Sequence, residues 1–220
     1  MTGEISLQRV LPQVFRGSEG EAPVRDSEVW LREEVKFVRG NYYLVEAESG
    51  TGKSSLCAYI YGSRRDYDGR ISFDGHDISA FTIARWCELR RRSLAYLPQE
   101  MRLFPELTVM ENIQIKNRLT SFRSEAEITA LLDRLELGHK AASPAGRLSV
   151  GQQQRVAIIR ALCQPFDFLL IDEPVSHLDS RNNQTVAALI DEEASRQGAA
   201  IIATSVGNKI RLPEYTLLKL

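Results

Sequence analysis

A glycine-rich loop, Ala47-Glu48-Ser49-Gly50-Thr51-Gly52-Lys53-Ser54, has the residue types and spacing of a site for phosphate groups. Gly50 and Gly52 let the backbone approach a bulky anion with its N–H groups turned inward. Lys53 is predicted to reach the outer phosphates of a nucleotide, and the Ser54 hydroxyl to help bind Mg²⁺. The phosphate-loop pattern has glycine where this chain has Ala47, a mild departure if φ is negative there. The alternative is a glycine-rich turn with a chance Lys-Ser pair.

The segments on either side of this loop favour the phosphate-binding interpretation. Residues 42–45 are apolar and predict a buried strand, and residues 55–60 predict a helix. The partial positive charge at the start of that helix would face the same anion. Ser55, the first residue after the loop, completes the predicted set of phosphate contacts.

Two adjacent carboxylates, Asp172 and Glu173, end an apolar run at residues 168–171. A strand that ends in two acids delivers them to the carboxyl edge of a parallel sheet, where ligands bind in open α/β folds. Asp172 suits a direct or water-mediated role at Mg²⁺ beside a phosphate loop. Glu173 is expected to polarise a water molecule for attack on the terminal phosphorus. Solvated acids at a strand end are the alternative, which the phosphate loop disfavours.

The composition of the 220 residues limits the possible classes of protein. Hydrophobic residues make up 43% and charged residues 26%, as in ordinary globular proteins. A formal net charge of -1 gives no general attraction to nucleic acid, and Arg85 and the run 90–92 are interpreted as a solvated helix face. There is no signal-peptide pattern and no apolar run of about 18 residues. Because the three cysteines are scattered, we expect a reducing, cytoplasmic location.

The order of predicted elements indicates an α/β fold, in which helices flank a mainly parallel sheet. At the N-terminus, residues 4–10 predict an edge strand, residues 17–26 an exposed loop and residues 29–38 a half-buried strand. Helical periodicity from Thr108 onward predicts a helical lobe, approximately residues 100–145, inserted in the core. The length suits a single domain over residues 1–220.

A third motif, Leu148-Ser149-Val150-Gly151-Gln152-Gln153-Gln154-Arg155, leads to a known family. With the phosphate loop, the two acids, Gln99 after Pro98, and the run Ser176-His177-Leu178-Asp179, it resembles the ATP-binding cassette (ABC) ATPases. The resemblance covers nearly the whole chain in the family's order and spacing. It implies a P-loop NTPase fold with an N-terminal antiparallel β part, and it implies ATP and Mg²⁺ as cofactors.

The resemblance also implies roles for individual residues. Residues 47–54 match the loop that binds the phosphates of ATP, and Gln99 matches the glutamine that contacts Mg²⁺ and the attacking water. Asp172 and Glu173 match the metal-side aspartate and the catalytic glutamate, and Asp179 matches the loop that communicates between two cassettes. Phe15 is the candidate for the aromatic residue that stacks on adenine.

Ser149, Gly151 and Gln152 match the family signature, which contacts ATP held by a second cassette. The spacing of Ser149 and Gln152 also fits a capping box, so the helix start would present free N–H groups to a γ-phosphate. An ordinary helix cap without a ligand is the alternative. Val150 replaces the usual glycine, and little is lost if the backbone there is helical.

Ser205 stands where the family usually has a histidine that contacts the γ-phosphate. Serine donates only a neutral hydrogen bond from a shorter side chain. The loss of one preorganised donor typically slows catalysis by about 10²–10³-fold. The open alternatives are slow hydrolysis, compensation by another residue, or a different cassette that supplies the competent site.

The leading hypothesis is an ATP-hydrolysing ABC transporter subunit on the inner face of the cytoplasmic membrane. It would power a separate membrane-spanning permease and pair with an identical or different cassette, and no nucleic acid partner is expected. Residues 101–113 are similar to cassettes of the bacterial lipoprotein-release, macrolide-export and cell-division group. The alternative is a hydrolysis-impaired, nucleotide-gated regulatory subunit, favoured by Ser205 and disfavoured by Glu173. A P-loop kinase is disfavoured by the signature.

Overall fold

The computed structural model describes residues 1–46, 48, 50–174, 179–205 and 209–220. Ala47 and Ser49 of the predicted phosphate loop lie outside the described residues, as does the run 176–178 before Asp179. Among the described residues, no helix has the length and apolar character needed to cross a membrane.

Two β-sheets form the framework. Four antiparallel strands, β1 (Glu4–Pro12), β2 (Val35–Val38), β4 (Tyr67–Phe73) and β5 (His76–Asp77), lie in the order β2-β1-β4-β5. Five parallel strands, β3 (Tyr42–Glu46), β6 (Leu94–Leu97), β7 (Phe168–Asp172), β8 (Ala200–Ser205) and β9 (Thr216–Lys219), lie in the order β6-β7-β8-β3-β9. The predicted α/β fold with a parallel sheet and a separate antiparallel part is confirmed.

The α-helices lie between the strands of the two sheets in the chain. They are α1 (Ala22–Arg25), α2 (Lys53–Ile60), α3 (Ile83–Arg92), α4 (Val109–Asn117), α5 (Glu125–Arg134), α6 (Val150–Leu162) and α7 (Ser180–Gln197). Five of them begin at a side-chain cap that accepts a hydrogen bond from the third helical N–H, and these caps are Thr82, Thr108, Ser124, Ser149 and Asp179. Gly198 ends α7 in the left-handed conformation, with φ of 57°.

The central strands β7 and β8 of the parallel sheet are buried on both faces, and the residues of β7 alternate between two hydrophobic clusters. In β7, Leu169 and Ile171 pack into the cluster formed with α4 to α7, whereas Phe168 and Leu170 pack into the cluster shared with the antiparallel sheet. Such burial on both faces explains why the sequence of β7 is a continuous apolar run. The carboxyl end of β7 is thereby fixed between two packed layers.

The helices α4 and α5 lie between β6 and β7 in the chain and share the first hydrophobic cluster with α6 and α7. Arg123, which precedes α5, forms a buried ion pair with Glu193 of α7 and donates to the Leu162 carbonyl at the end of α6. This contact ties the start of α5 to two helices that follow β6. The predicted lobe at residues 100–145 corresponds to this part of the chain.

Three predictions for the N-terminal part are wrong. The strand β1 is not an edge strand, because β2 and β4 pair with it on either side. The predicted strand over 29–38 begins only at Val35, since Leu31 has φ of 56° and its N–H binds the Val10 carbonyl. The predicted loop over 17–26 contains the short helix α1.

Candidate functional site

The candidate site lies where β3 leads into α2. Gly50 and Gly52 adopt φ of 88° and 96°, a conformation that side chains with Cβ atoms disfavour. The Lys53 ammonium donates to the Glu48 carbonyl at 2.6 Å, and the Thr51 hydroxyl donates to the same carbonyl at 2.9 Å. Gly50 and Gly52 therefore occupy positions whose positive φ requires glycine.

Lys53 is buried at the first turn of α2. Burial lowers the pKa of its ammonium, and the negative charges of Glu173 and Asp172 act in the opposite direction. The two predicted acids are thus close enough to Lys53 to affect its charge. The Lys53 ammonium can neutralise charge on a bound phosphate, and the two carboxylates can attract a cation that accompanies it. This combination of charges suits MgATP.

Asp172 is the last residue of β7, and only 2% of its surface is exposed. The Thr204 hydroxyl donates to its Oδ1 at 2.6 Å, because the register of β7 and β8 places these two residues side by side. This charge-assisted bond fixes the orientation of the carboxylate. Thr204 was not predicted from the sequence, and its signal would have been its position beside Ser205 at the end of a buried strand.

Glu173 directly follows β7 and has φ of 50°, which is uncommon for a residue with a Cβ atom. Gln99 Nε2 donates to Glu173 Oε2 at 3.3 Å, so the structure brings these two predicted site residues together. Gln154 of α6 donates to the Glu173 carbonyl at 3.4 Å. The two contacts connect the acid both to the segment after β6 and to the signature helix.

A side chain of α6 binds the backbone of the segment that follows Gln99. Met101 and Arg102 both have positive φ, at 58° and 52°. The Arg160 guanidinium donates to both of their carbonyls, with a distance of 2.8 Å to that of Arg102. These bonds tie the segment that carries Gln99 to α6.

A cavity of about 290 Å³ lies beside the loop, and its lining includes Ser54, Gln99 and Asp172. These three side chains offer a hydroxyl, an amide and a carboxylate oxygen, which are the hard ligands that Mg²⁺ prefers. Ser55, the next residue of α2, accepts a hydrogen bond from Arg64, another residue of the cavity wall. The residue types present fit a magnesium–phosphate group at this position.

The signature helix α6 begins with the predicted capping box. The Gln152 N–H donates to Ser149 Oγ at 3.3 Å, and the Ser149 N–H donates to Gln152 Oε1 at 2.9 Å. Val150 is the first helical residue and is 49% exposed, and Gly151 follows it in the helix. Because the backbone at Val150 is helical, its N–H is retained and the departure from the usual glycine does not disturb the helix start.

Ser205 is the last residue of β8 and is buried. It lies opposite Glu46 of β3 and directly after Thr204, which binds Asp172. The position at the carboxyl edge of the sheet matches the predicted one. The side chain is short, and its backbone is fixed by pairing with β3.

Phe15 lies in a short 3₁₀ turn after β1 and is half-buried. Its ring atom Cε2 would be 3.5 Å from a Cβ atom placed on Gly52, so the ring is adjacent to the phosphate loop. The ring atom Cζ2 of Trp30 would be 3.2 Å from the same Cβ position, and this residue was not selected from the sequence. Two aromatic rings therefore border the loop at Gly52.

The arginines of α3 have partners within the protein. Arg91 and Arg92 pair with Glu88 one helical turn away. Arg90 stacks over Tyr61 and Trp86. These contacts agree with the interpretation of the basic cluster as part of an ordinary helix surface.

An open surface follows Gln99 in the chain. Phe104 is 51% exposed, and the Asn112 side chain holds its backbone through bonds of 2.8 and 3.0 Å. Lys116 of α4 is half-buried, and burial together with nearby Arg160 and Arg90 lowers its pKa to about 8. Exposed apolar side chains such as Phe104 can contact a partner protein.

Comparison with known proteins agrees with this geometry. The lipoprotein-releasing system ATP-binding protein LolD of Shewanella oneidensis is 30% identical over 80% of this chain and 78% of its own. The uncharacterized ABC transporter ATP-binding protein Rv0073 of Mycobacterium tuberculosis is 30% identical over 92% of this chain and 60% of its own.

Solved structures show the same fold. The "Dimeric Structure of MJ0796, a Bacterial ABC Transporter Cassette" matches with a TM-score of 0.75 and 24% identity, over 98% of this chain and 94% of that one. The family model described as ABC transporter matches residues 33–176, which include the loop, Gln99, the signature and both acids. The chain therefore belongs to the ABC transporter family, as an ATP-binding cassette.

Proposed function

We propose that this chain hydrolyses MgATP and thereby drives a separate membrane-spanning permease subunit, as a peripheral protein on the inner face of the cytoplasmic membrane. The observation that carries the proposal is the contact between Gln99 and Glu173 beside the fixed carboxylate of Asp172. The whole chain would act as one cassette domain, with the helical lobe at about residues 100–145 as its signalling part.

Each site residue has a task in this proposal. The loop from Ala47 to Ser55 binds the phosphates, Lys53 neutralises the outer ones, and Phe15 stacks on the adenine. Bound Mg²⁺ would neutralise charge on the phosphate oxygens, held by Ser54, Gln99 and Asp172. Glu173 orients and polarises the attacking water. The uncommon φ of Glu173 supports a catalytic role, since strained backbone concentrates at functional sites.

The site is completed by a second cassette. The capped start of α6 presents backbone N–H groups near Ser149 and Gly151, and a helix N-terminus binds anions well. In the proposed dimer this helix start meets the γ-phosphate held by the partner's loop. ATP would close two cassettes head to tail, and hydrolysis would release them.

The surface around Phe104 is the proposed contact with the permease. The bonds from Arg160 to the Met101 and Arg102 carbonyls connect this surface to α6, and Gln99 connects it to Glu173. Nucleotide-dependent movement of α6 would therefore reach the partner. The cations near Lys116 favour a permease segment that carries a carboxylate.

Co-purification tests the permease contact. Tagged Glu173→Gln chain, incubated with MgATP and detergent-solubilised membranes of its source organism, is expected to retain one polytopic membrane protein in stoichiometric amount. Phe104→Asp should reduce the recovered amount by about 10-fold or more, as for a central interface aromatic. Leu217→Asp is the matched control, because Leu217 is 40% exposed on β9, at the opposite edge of the sheet from β6. Equal recovery with Phe104→Asp and Leu217→Asp would contradict the proposed docking surface.

A regulatory cassette that binds ATP and dimerises without appreciable turnover is the second candidate. The buried Ser205 in the place of a histidine favours it. The intact pair of Gln99 and Glu173 favours the hydrolytic cassette instead. Phosphate release by the Ser205→His variant separates the two candidates.

A further inference from the structure

Trp30 occupies a fixed position against the phosphate loop. Only 1% of its surface is exposed, and its indole Nε1 donates to the Thr51 carbonyl at 3.1 Å. The buried Ser27 hydroxyl accepts from the N–H groups of Val29 and Trp30, which holds the backbone at this point. The ring also packs edge-on against Tyr59 of α2. The indole therefore has little freedom to leave the loop.

The contact determines the direction of one peptide group in the loop. In a trans peptide the C=O and the following N–H point in opposite directions, and the described residues contain no cis bond. With the Thr51 carbonyl held by Trp30, the N–H of Gly52 must point away from the indole. Phosphate loops bind anions through inward N–H groups, so a fixed Thr51–Gly52 peptide can present one such donor in a fixed direction.

The space around Gly52 supports the same conclusion. A Cβ atom at Gly52 would lie 3.2 Å from Trp30 Cζ2 and 3.5 Å from Phe15 Cε2, and φ at Gly52 is 96°. The glycine thus fits closely against the indole in a left-handed conformation. The close fit limits movement of Gly52 toward Trp30, and rotation of its N–H would break the bond from the indole to the Thr51 carbonyl.

We propose that Trp30 is a positioning residue for nucleotide binding, because its indole N–H fixes the Thr51–Gly52 peptide so that the Gly52 N–H faces the phosphates. This inference rests on the proposed binding of ATP at the loop. Because Trp30 holds this peptide in place, the loop has less backbone to order when it binds an anion. Trp30 itself does not touch the reacting atoms.

The two tryptophans of the chain allow a matched comparison. Trp86 is also buried, at 5% exposure, but its Nε1 has no hydrogen-bond partner among the described residues. Trp30→Phe removes an indole N–H that binds the loop, whereas Trp86→Phe removes one that binds no described group. Both changes delete the same atoms from buried positions, and only Trp30→Phe removes groups that contact the loop, namely the N–H bound to Thr51 and the ring atom Cζ2 beside Gly52.

Calorimetric titration with MgATP and MgADP is the first readout. Trp30→Phe is expected to weaken both affinities by about 3- to 10-fold, the loss of one orienting hydrogen bond. Trp86→Phe should bind both nucleotides with affinities within about twofold of wild type, because this change removes no hydrogen bond to the loop. Equal affinities for the two folded variants would overturn the proposal.

Intrinsic fluorescence is the second readout, and its measurement on Trp30 uses the Trp86→Phe chain, so this arm does not depend on the folding of Trp30→Phe. The Trp86→Phe chain retains only Trp30, whose emission should change as MgATP saturates the loop. The emission of Trp86 alone, in Trp30→Phe, should stay constant. An unresponsive Trp30 emission while calorimetry shows binding would overturn the positioning role. Absence of binding to wild type would instead reject the proposed function.

Discussion

Replacing Glu173 by Gln is expected to reduce steady-state phosphate release from MgATP by about 10²–10⁴-fold, the usual contribution of a positioned general base. The change preserves shape and leaves an oxygen that can still accept from Gln99, which lies 3.3 Å away. It also removes a negative charge from the neighbourhood of Lys53. Affinity for MgATP should therefore be retained or increase, and ATP-bound dimers should accumulate.

The matched control is Glu33→Gln, because Glu33 is an exposed acid outside the cavity beside the loop and pairs with Arg9 at 3.5 Å. This variant should turn over like wild type. Phosphate release is measured with a coupled assay, and dimers by size-exclusion chromatography with light scattering. An active Glu173→Gln chain would contradict the role assigned to this carboxylate.

Replacing Ser205 by His is expected to raise turnover, by up to about 10²–10³-fold if a missing preorganised donor limits the rate. The reason is the position of Ser205 at the carboxyl edge of the sheet, next to the Thr204 that binds Asp172. A histidine there can reach further and can carry charge as it donates to the γ-phosphate. Single-turnover phosphate release measures the chemical step without product release.

Ser205→Ala completes the comparison. If the serine hydroxyl already acts as a donor, its removal should slow hydrolysis. If wild type is silent while Ser205→His turns over, the regulatory cassette becomes the better description of this chain. If wild type turns over well and neither variant changes the rate, Ser205 has no part in the reaction and its assignment to the site is wrong.

The sequence predicted the fold best where its pattern had only one physical solution. Residues 168–171 form a continuous apolar run because both faces of β7 are buried. The two acids that follow it end at the carboxyl edge, as parallel strands dictate. The spacing of Ser149 and Gln152 predicted the capping box at the start of α6, since a capping box is a local interaction.

The failures concern contacts between residues distant in the chain. Nothing in residues 29–38 signals that Leu31 takes a positive φ to let its N–H reach Val10, so the predicted strand began too early. Trp30 and Thr51 are 21 positions apart, and their bond forms only in the folded protein, where Trp30 also packs against Tyr59 of α2. The link from Thr204 to Asp172 depends on the register of β7 and β8, which only the folded sheet fixes.

In the proposed dimer, each ATP site is built from the loop of one cassette and the signature of another. Lys53→Ala disables the loop and leaves the signature intact. Gly151→Asp does the reverse, because an acid in the first turn of α6 suits the helix but repels a γ-phosphate. Each purified variant alone should be inactive in phosphate release. The assay uses the wild-type or Ser205→His background, whichever turns over.

The decisive measurement is the activity of an equal mixture of these two variants. Random pairing makes half of the dimers mixed, and each mixed dimer has one intact composite site out of two, so the mixture should recover about one quarter of the parent activity. The proposed site predicts recovery of activity near that fraction. It also predicts that this activity is lost when the mixture is diluted below the concentration at which the cassettes dimerise. If the parent chain releases phosphate but the mixture is no more active than each variant alone, the result would contradict a site shared between two cassettes.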